Sequence, residues 1–269
     1  MVGKMERFRH KKSLGQNFLN DKNILNKILV GTCIDPNSLI IEIGPGSGAL
    51  TEKLIETNNN VLAFEIDTRL DIYLNKLEEK YSNFRVIYTD FLKANINEYL
   101  SKYEYSKLYV VANIPYYITS AIINKVIDKL RPDCFTVMIQ KEVGSRLMAK
   151  PNTRDYNSLS LYCQFYYDIS KICDVSKNCF IPKPDVDSVV LKFNKNDNKF
   201  KVADENEFFS LVKSAFKQKR KNLRNNLKQY DLNKIDTFLN SICKNLSYRA
   251  EQLSLDEFVS LYNFLNSEN

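Results

Sequence analysis

Five short runs of β-branched and aromatic residues are spaced through the first half of the chain: LIIEI ending at Ile43, VLAFEI at Ile66, FRVIY at Tyr88, KLYVVA at Ala112 and FTVMI at Ile139. Between them lie ALTEKLIET, TRLDIYLNKLEEK, ANINEYLSK and TSAIINKVIDKL, whose apolar residues recur near helical spacing with no Gly or Pro inside. Strands buried on both faces and joined by crossover helices produce this alternation, so it predicts a parallel sheet and an α/β fold. A further strand is expected in IPKPDVDSVVLKF, followed by the polar linker NKNDNKFKVADENE; from Phe208 onward the pattern is helical throughout. At 269 residues the chain holds nearly two domains of about 150 residues each. The expected division is an α/β domain over 1–195 and a small all-helical domain over 196–269.

Several chemistries are excluded by what the chain lacks. His10 is its one histidine, which removes Ser/His/Asp and Cys/His nucleophiles and His-ligated metals. The cysteines Cys33, Cys134, Cys163, Cys173, Cys179 and Cys243 form no CxxC pair, so neither a zinc site nor a disulfide framework is expected. No apolar run reaches the 18 or so residues of a membrane span, and the opening MVGKMERFRHKK lacks the apolar stretch of a secretory signal, so a cytoplasmic protein without a membrane partner is expected. The chemistry must work without imidazole.

IEIGPGSGAL places Gly44, Gly46 and Gly48 between a strand and a helix, where glycine permits a tight turn and close approach of backbone to a ligand. Its spacing matches neither GxGxxG nor the phosphate-cradling GxxxxGK[ST]; Glu42 adds an acid just before it. Glu65 ends the next strand, twenty-one residues after Gly44, where related folds place a carboxylate that accepts from ribose hydroxyls. Asp90 follows the third strand, in position to accept from an exocyclic amine. Taken singly, Glu65 and Asp90 also read as helix caps.

YVVANIPYYITS sets Asn113, Ile114, Pro115 and Tyr116 at the end of the fourth strand, on the same edge. Asn brings an amide oxygen, Pro fixes a turn that aims a backbone carbonyl, and Tyr offers a ring face; a plain turn is the alternative. If Asn113 Oδ1 and the Ile114 carbonyl accept the two hydrogens of an adenine N6 amine, its lone pair is drawn out of ring conjugation. No strong base is then required, and positioning carries most of the catalysis.

These motifs in this order, with SLGQNFL at Ser13 to Leu19, TDF at Thr89 to Phe91, MIQKEV, IPKPDVDSVV, AFKQKRKNLRNNL and YRAEQLSLDEF, resemble the S-adenosylmethionine-dependent rRNA adenine N6,N6-dimethyltransferases from about Phe8 to the C-terminus. The resemblance implies a Rossmann-like methyltransferase domain, S-adenosyl-L-methionine as cofactor, and dimethylation of adjacent adenines in a 3′-terminal hairpin of small-subunit rRNA on a 30S-type particle, by a monomer. It assigns Asn17, Leu19, Gly44, Gly46, Glu65, Ile66, Asp90, Phe91 and Asn113 to the cofactor. Asn113, Ile114, Pro115 and Tyr116 receive the target adenine, and Phe180 closes its other face. Two relatives share the early motifs: enzymes that methylate a large-subunit rRNA adenine, and assembly or mitochondrial transcription factors on the same fold. RKNLRNNL and YRAEQLS favour the small-subunit branch.

The net charge of +7 acquires meaning from its distribution. Lys213, Lys217, Lys219, Arg220, Lys221, Arg224 and Lys228 fall in one stretch without an acidic residue. Phe216, Leu223 and Leu227 are spaced to form a buried helical stripe, leaving a positive face for RNA phosphates, with Lys217, Lys219, Arg220, Lys221 and Arg224 as the expected contacts. A solvated helix face is the other reading. A basic arm over about residues 1–12 would add to either.

Overall fold

The computed structural model describes residues 17–196 and 199–267. The basic arm and His10 lie outside the described residues. Two compact units emerge, one formed by residues up to Gly144 with Ser170–Lys195, the other by Ser145–Ile169 with residues from Asn196 onward.

The first unit begins with β1 (Phe18–Leu19) and α1 (Lys22–Thr32), which starts where the Asp21 carboxylate accepts from the Asn23 and Ile24 amides. Then come β2 (Ser38–Ile43), α2 (Ala49–Ile55), β3 (Asn60–Glu65), α3 (Asp71–Lys80), β4 (Phe84–Tyr88), α4 (Ile96–Leu100), β5 (Lys107–Asn113), α5 (Thr119–Lys125), β6 (Cys134–Gln140) and α6 (Lys141–Leu147). In the second unit α7 (Ser158–Tyr166) opens behind an Asn157 capping box. The chain continues through β7 (Tyr167–Val175), β8 (Phe180–Ile181) and β9 (Ser188–Lys195), then α8 (Glu205–Ala215), α9 (Leu223–Asn226), α10 (Leu232–Ser241) and α11 (Leu255–Asn266).

The seven-stranded sheet has the order β4-β3-β2-β5-β6-β9-β7, with β4 through β6 parallel and β9 antiparallel to β6. All six residues of β2 are buried, as a central strand covered on both faces requires. Ile40, Val61, Ala63, Tyr109 and Val111 pack with Ile28, Leu54 and Leu74 of α1, α2 and α3. Leu39, Ile41, Leu62, Val110 and Val137 alternate with them on the other face and are also buried. Between β2 and β5 the strand order reverses, and the carboxyl ends of these two strands diverge into a crevice there.

The five strands read from the early runs are present, and the sixth, within IPKPDVDSVVLKF, is β9. Three others carried no readable signal. β1 and β8 are two residues each and exist because they pair antiparallel, Phe18 with Ile181 and Leu19 with Phe180. β7 lies at the edge of the sheet, and its polar YDISKICDV sequence reflects that partial exposure.

The second unit is built on Leu161, Phe165, Phe208, Val212, Leu239, Phe258 and Leu261. It differs from the expected 196–269 domain by taking in Ser145–Ile169 as well. The reason is apolar burial: Tyr156, Leu161 and Phe165 belong to the same core as α8 and α11. Phe165 meets Phe208 at 5.2 Å and Phe209 at 5.2 Å, ring centre to ring centre.

Candidate active site

The glycine loop leaves β2 with φ of 72° at Gly44 and 60° at Gly46, a left-handed backbone that side chains disfavour. The space a side chain would take is also occupied: a Cβ on Gly46 would lie 2.7 Å from the Phe18 ring, and one on Gly44 would lie 3.3 Å from the Asn113 carbonyl oxygen. The loop is thereby wedged between β1 and the end of β5.

Glu65, nearly buried at the end of β3, ties the loop to its neighbour. Its carboxylate accepts from the Gly46 amide at 3.2 Å and from the Asp67 amide at 2.8 Å. Burial raises its pKa, and the two amides oppose that rise. A carboxylate has about four acceptor positions, so capacity remains for a ligand's hydroxyls.

Asp90 follows β4 and accepts from the Leu92 amide at 2.9 Å, so it does cap the turn after the strand. It also lines the cavity described below, and the two readings turn out to be compatible. The next turn is held from α5, where Lys125 Nζ donates to the Leu92 carbonyl at 3.0 Å and the Ala94 carbonyl at 2.7 Å.

Asn113 ends β5 opposite Met138 of β6. Its side-chain amide makes no hydrogen bond to another described residue, and it lines the cavity. Pro115 turns the chain at φ −57° and ψ 136°, and Tyr116 follows, half-buried, its hydroxyl sharing a 2.8 Å hydrogen bond with Ser188 Oγ. Burial raises the phenol pKa further. Ser188 begins β9, pairs with Gln140 and is buried.

One cavity, about 1300 Å³ with its open mouth included, is lined by every residue expected from sequence to meet the cofactor or the target base: Asn17, Leu19, Gly44, Gly46, Glu65, Ile66, Asp90, Phe91, Asn113, Ile114, Pro115, Tyr116 and Phe180. Phe180 reaches it through the β1–β8 pairing and is itself buried. The lining contains no Lys or Arg; its ionisable groups besides tyrosines are Glu42, Glu65 and Asp90. Such a cavity favours a cationic ligand with an apolar body over an anion.

Glu42 is the most deeply buried member of that trio. Its one hydrogen-bond partner is the Thr51 hydroxyl at 2.7 Å, and burial pushes its pKa up to about 8. Sequence reasoning placed this acid near the loop but missed Thr51, Ser188 and the lining residues Thr89 and Tyr117. Tyr117, Thr89 and Ser188 stood inside quoted motifs, NIPYY, TDF and IPKPDVDSVV, whereas nothing about Thr51 marked it as the partner of Glu42.

The basic stretch differs from the single helix expected over Lys213 to Lys228. Helix α8 stops at Ala215, residues 217–222 form a turn, and α9 restarts at Leu223. The restart is set by Asn222, whose side chain accepts from the Asn225 amide at 3.1 Å. Leu223 and Leu227 are buried as expected, Phe216 is half-buried, and all seven basic side chains are exposed. The turn is held from inside by buried Asn226. Its Nδ2 donates to the carbonyls of Ala215 at 2.7 Å, Gln218 at 3.1 Å and Lys221 at 3.4 Å, and its Oδ1 accepts from the Gln218 amide at 3.2 Å. Lys219 Nζ donates to the Arg154 carbonyl, which brings the turn to the 150–156 segment.

Comparison with known proteins gives this geometry its context. The family model for ribosomal RNA adenine dimethylase matches residues 7–267. The chain is 44% identical over 257 residues to ribosomal RNA small subunit methyltransferase A of Aster yellows witches'-broom phytoplasma (strain AYWB), covering 94% of each. It is 44% identical over 268 residues to the protein of that name from Bacillus mycoides (strain KBAB4), covering 96% of this chain and 92% of that one. Among solved structures, a dimethyladenosine transferase from Plasmodium falciparum superposes with a TM-score of 0.75 at 26% identity, over 91% of this chain and 95% of that one. The 23S rRNA methyltransferase ErmE shares the fold, with a TM-score of 0.75 at 23% identity over 93% of this chain and 100% of that one. A left-handed glycine loop, an acidic cavity free of cations and an open asparagine amide fit the adenosine-bearing, sulfonium-carrying cofactor of this class. The chain is a member of the ribosomal RNA adenine dimethylase family and an S-adenosylmethionine-dependent methyltransferase.

Proposed function

We propose that this chain, as a monomer, dimethylates N6 of two adjacent adenines in a 3′-terminal hairpin of small-subunit rRNA, acting on a 30S-type particle. The observation that carries the reading is the open Asn113 amide on the same cavity as the glycine loop, Glu65 and Asp90. The relatives named for small-subunit rRNA, matched along nearly their whole length, support the substrate.

Bound S-adenosylmethionine supplies an electrophilic sulfonium methyl. Asn17, Leu19, Gly44 and Gly46 would hold its methionine part, Glu65 its ribose hydroxyls, Asp90 its adenine amine, and Ile66 and Phe91 the faces of that ring. Asn113 Oδ1 and the Ile114 carbonyl would accept the two N6 hydrogens of the unmethylated target and, after the first transfer, the one that remains, leaving the nitrogen lone pair for the methyl; each transfer would exchange the methyl's bond to sulfur for one to N6 and release one N6 proton to solvent. Pro115 fixes the backbone that aims this carbonyl, Tyr116 stacks on the adenine, and Phe180 limits the pocket behind it. Because N6 is otherwise engaged in pairing or stacking, the base must be extruded, at a cost of a few kcal/mol that ring contacts partly offset. The helical unit contributes Lys217, Lys219, Arg220, Lys221 and Arg224 as phosphate contacts, whose binding weakens steeply with salt.

The test uses labelled S-adenosylmethionine with undermethylated 30S particles, 50S precursors and naked rRNA. Label in N6,N6-dimethyladenine of 30S material is expected. Label confined to 50S material would instead assign the chain to the large subunit, and no label in any RNA would defeat the reading.

A further inference from the structure

The two tyrosines of NIPYY are used in opposite ways. Tyr116 is drawn in, its hydroxyl bonded to Ser188. Tyr117 lines the same cavity yet is 67% exposed, and its hydroxyl bonds to no other described residue. A ring so placed adds little to the fold, and leaving it in water costs apolar hydration.

It has company. Among the described residues, seven large apolar side chains are substantially exposed: Val30, Ile66, Ile72, Tyr117, Ile181, Val186 and Phe264. Two of them, Ile66 and Tyr117, line the cavity, so its mouth carries exposed apolar surface of its own.

Charge decides what this rim accepts. With Glu65 and Asp90 on the cavity and no Lys or Arg lining it, a phosphate gains nothing there, whereas an uncharged aromatic ring is unaffected by the acids and buries the exposed tyrosine face. The adenine site read above implies such a ring. Extruding one base leaves its chain neighbour unstacked on one side, and a protein aromatic can replace the lost partner.

We infer that Tyr117 is the stacking platform for the nucleobase adjacent to the target adenine, so that the cavity mouth is a second base subsite. The inference rests on the reading of the cavity as an adenine site. Where the two targets are neighbours, the base held on Tyr117 is the next substrate, kept at the entrance while the first is methylated.

The experiment compares the full-length protein with Tyr117→Ala, Tyr117→Phe and Asn113→Ala. One readout is fluorescence of a small-subunit hairpin carrying 2-aminopurine next to the target adenine; the other is kcat/KM for methyl transfer to undermethylated 30S particles. Wild type and Tyr117→Phe should quench the 2-aminopurine on binding. Tyr117→Ala should lose that quenching and fall roughly 5- to 100-fold in kcat/KM, the range that loss of one base–aromatic stack gives, with S-adenosylmethionine affinity changed less than twofold. Asn113→Ala should quench but not transfer. Unchanged quenching and kcat/KM in Tyr117→Ala would overturn the platform alone. Normal transfer by Asn113→Ala would overturn the adenine site itself, whatever Tyr117 does.

Discussion

Asn113 and Asn226 carry the same side chain and use it in opposite directions. Asn226 spends its amide inward, on three carbonyls and one amide of the turn that displays Lys217, Lys219, Arg220 and Lys221. Asn113 leaves its amide open on the cavity and is itself positioned by the backbone ladder of β5 and β6. The Asn113 end of the cavity is therefore organised by secondary structure, with that amide open, whereas the basic turn is held chiefly through the side chain of Asn226. Burying an amide is economical only when its bonds are made, so Asn226 is a structural commitment; an amide left open beside a cavity suits a ligand.

The largest expected effect breaks the open member of the pair. Asn113→Ala should lower methyl transfer on the order of 10²–10³-fold, because it removes an aimed dipole from the reacting amine. Tyr116→Ala should also abolish most transfer while S-adenosylmethionine affinity, measured by calorimetry, largely survives. Wild-type turnover in both variants would show that the acceptor lies elsewhere.

A smaller effect is expected from the committed member. Asn226→Asp keeps the shape but turns a donor into a carboxylate facing three carbonyls. The turn should open to proteolysis within 216–222, and RNA affinity at fixed salt should fall on the order of tenfold as phosphate contacts are lost. S-adenosylmethionine affinity should not move. Unaltered RNA binding would mean that the cations act without a fixed geometry.

The smallest effect concerns stability. Glu42 is raised from its usual 4.5 to about 8 in the fold, so between those pH values the folded chain retains a proton that the unfolded chain has lost. Stability from this group is full below about pH 4.5, declines as pH rises to about 8 and is level above. Glu42→Gln should remove that decline, giving a Tm a few degrees above wild type at pH 9 and little difference at pH 5. Parallel curves for the two proteins would place the carboxylate in contact with water.

The cavity was legible in the sequence because each of its parts sits where a strand ends: Gly44 after β2, Glu65 at the end of β3, Asp90 after β4 and Asn113 closing β5. Chemistry at a strand terminus needs only local order to be located. What escaped depended on distant partners. Ser188 is 72 positions from the tyrosine it anchors. The Ser145–Ile169 segment reads with the α/β domain by its place in the chain, yet its hydrophobic residues find their partners beyond Lys195. The basic stretch reads as one helix because periodicity weighs apolar spacing, whereas the stop at Ala215 and the restart capped by Asn222 are matters of side-chain bonding.

Strand β9 runs against β6, and so it brings its first residue, not its last, to the rim where the parallel strands end. During synthesis the glycine loop, Glu65, Asp90 and Asn113 emerge early and can assemble as the parallel sheet forms. The anchor for Tyr116 and the strand carrying Phe180 come out of the ribosome only near residue 190. The rim residues at the ends of the parallel strands can thus be placed on a nascent chain, while Ser188 and the β1–β8 pair wait for the later segment that closes the sheet from the opposite direction.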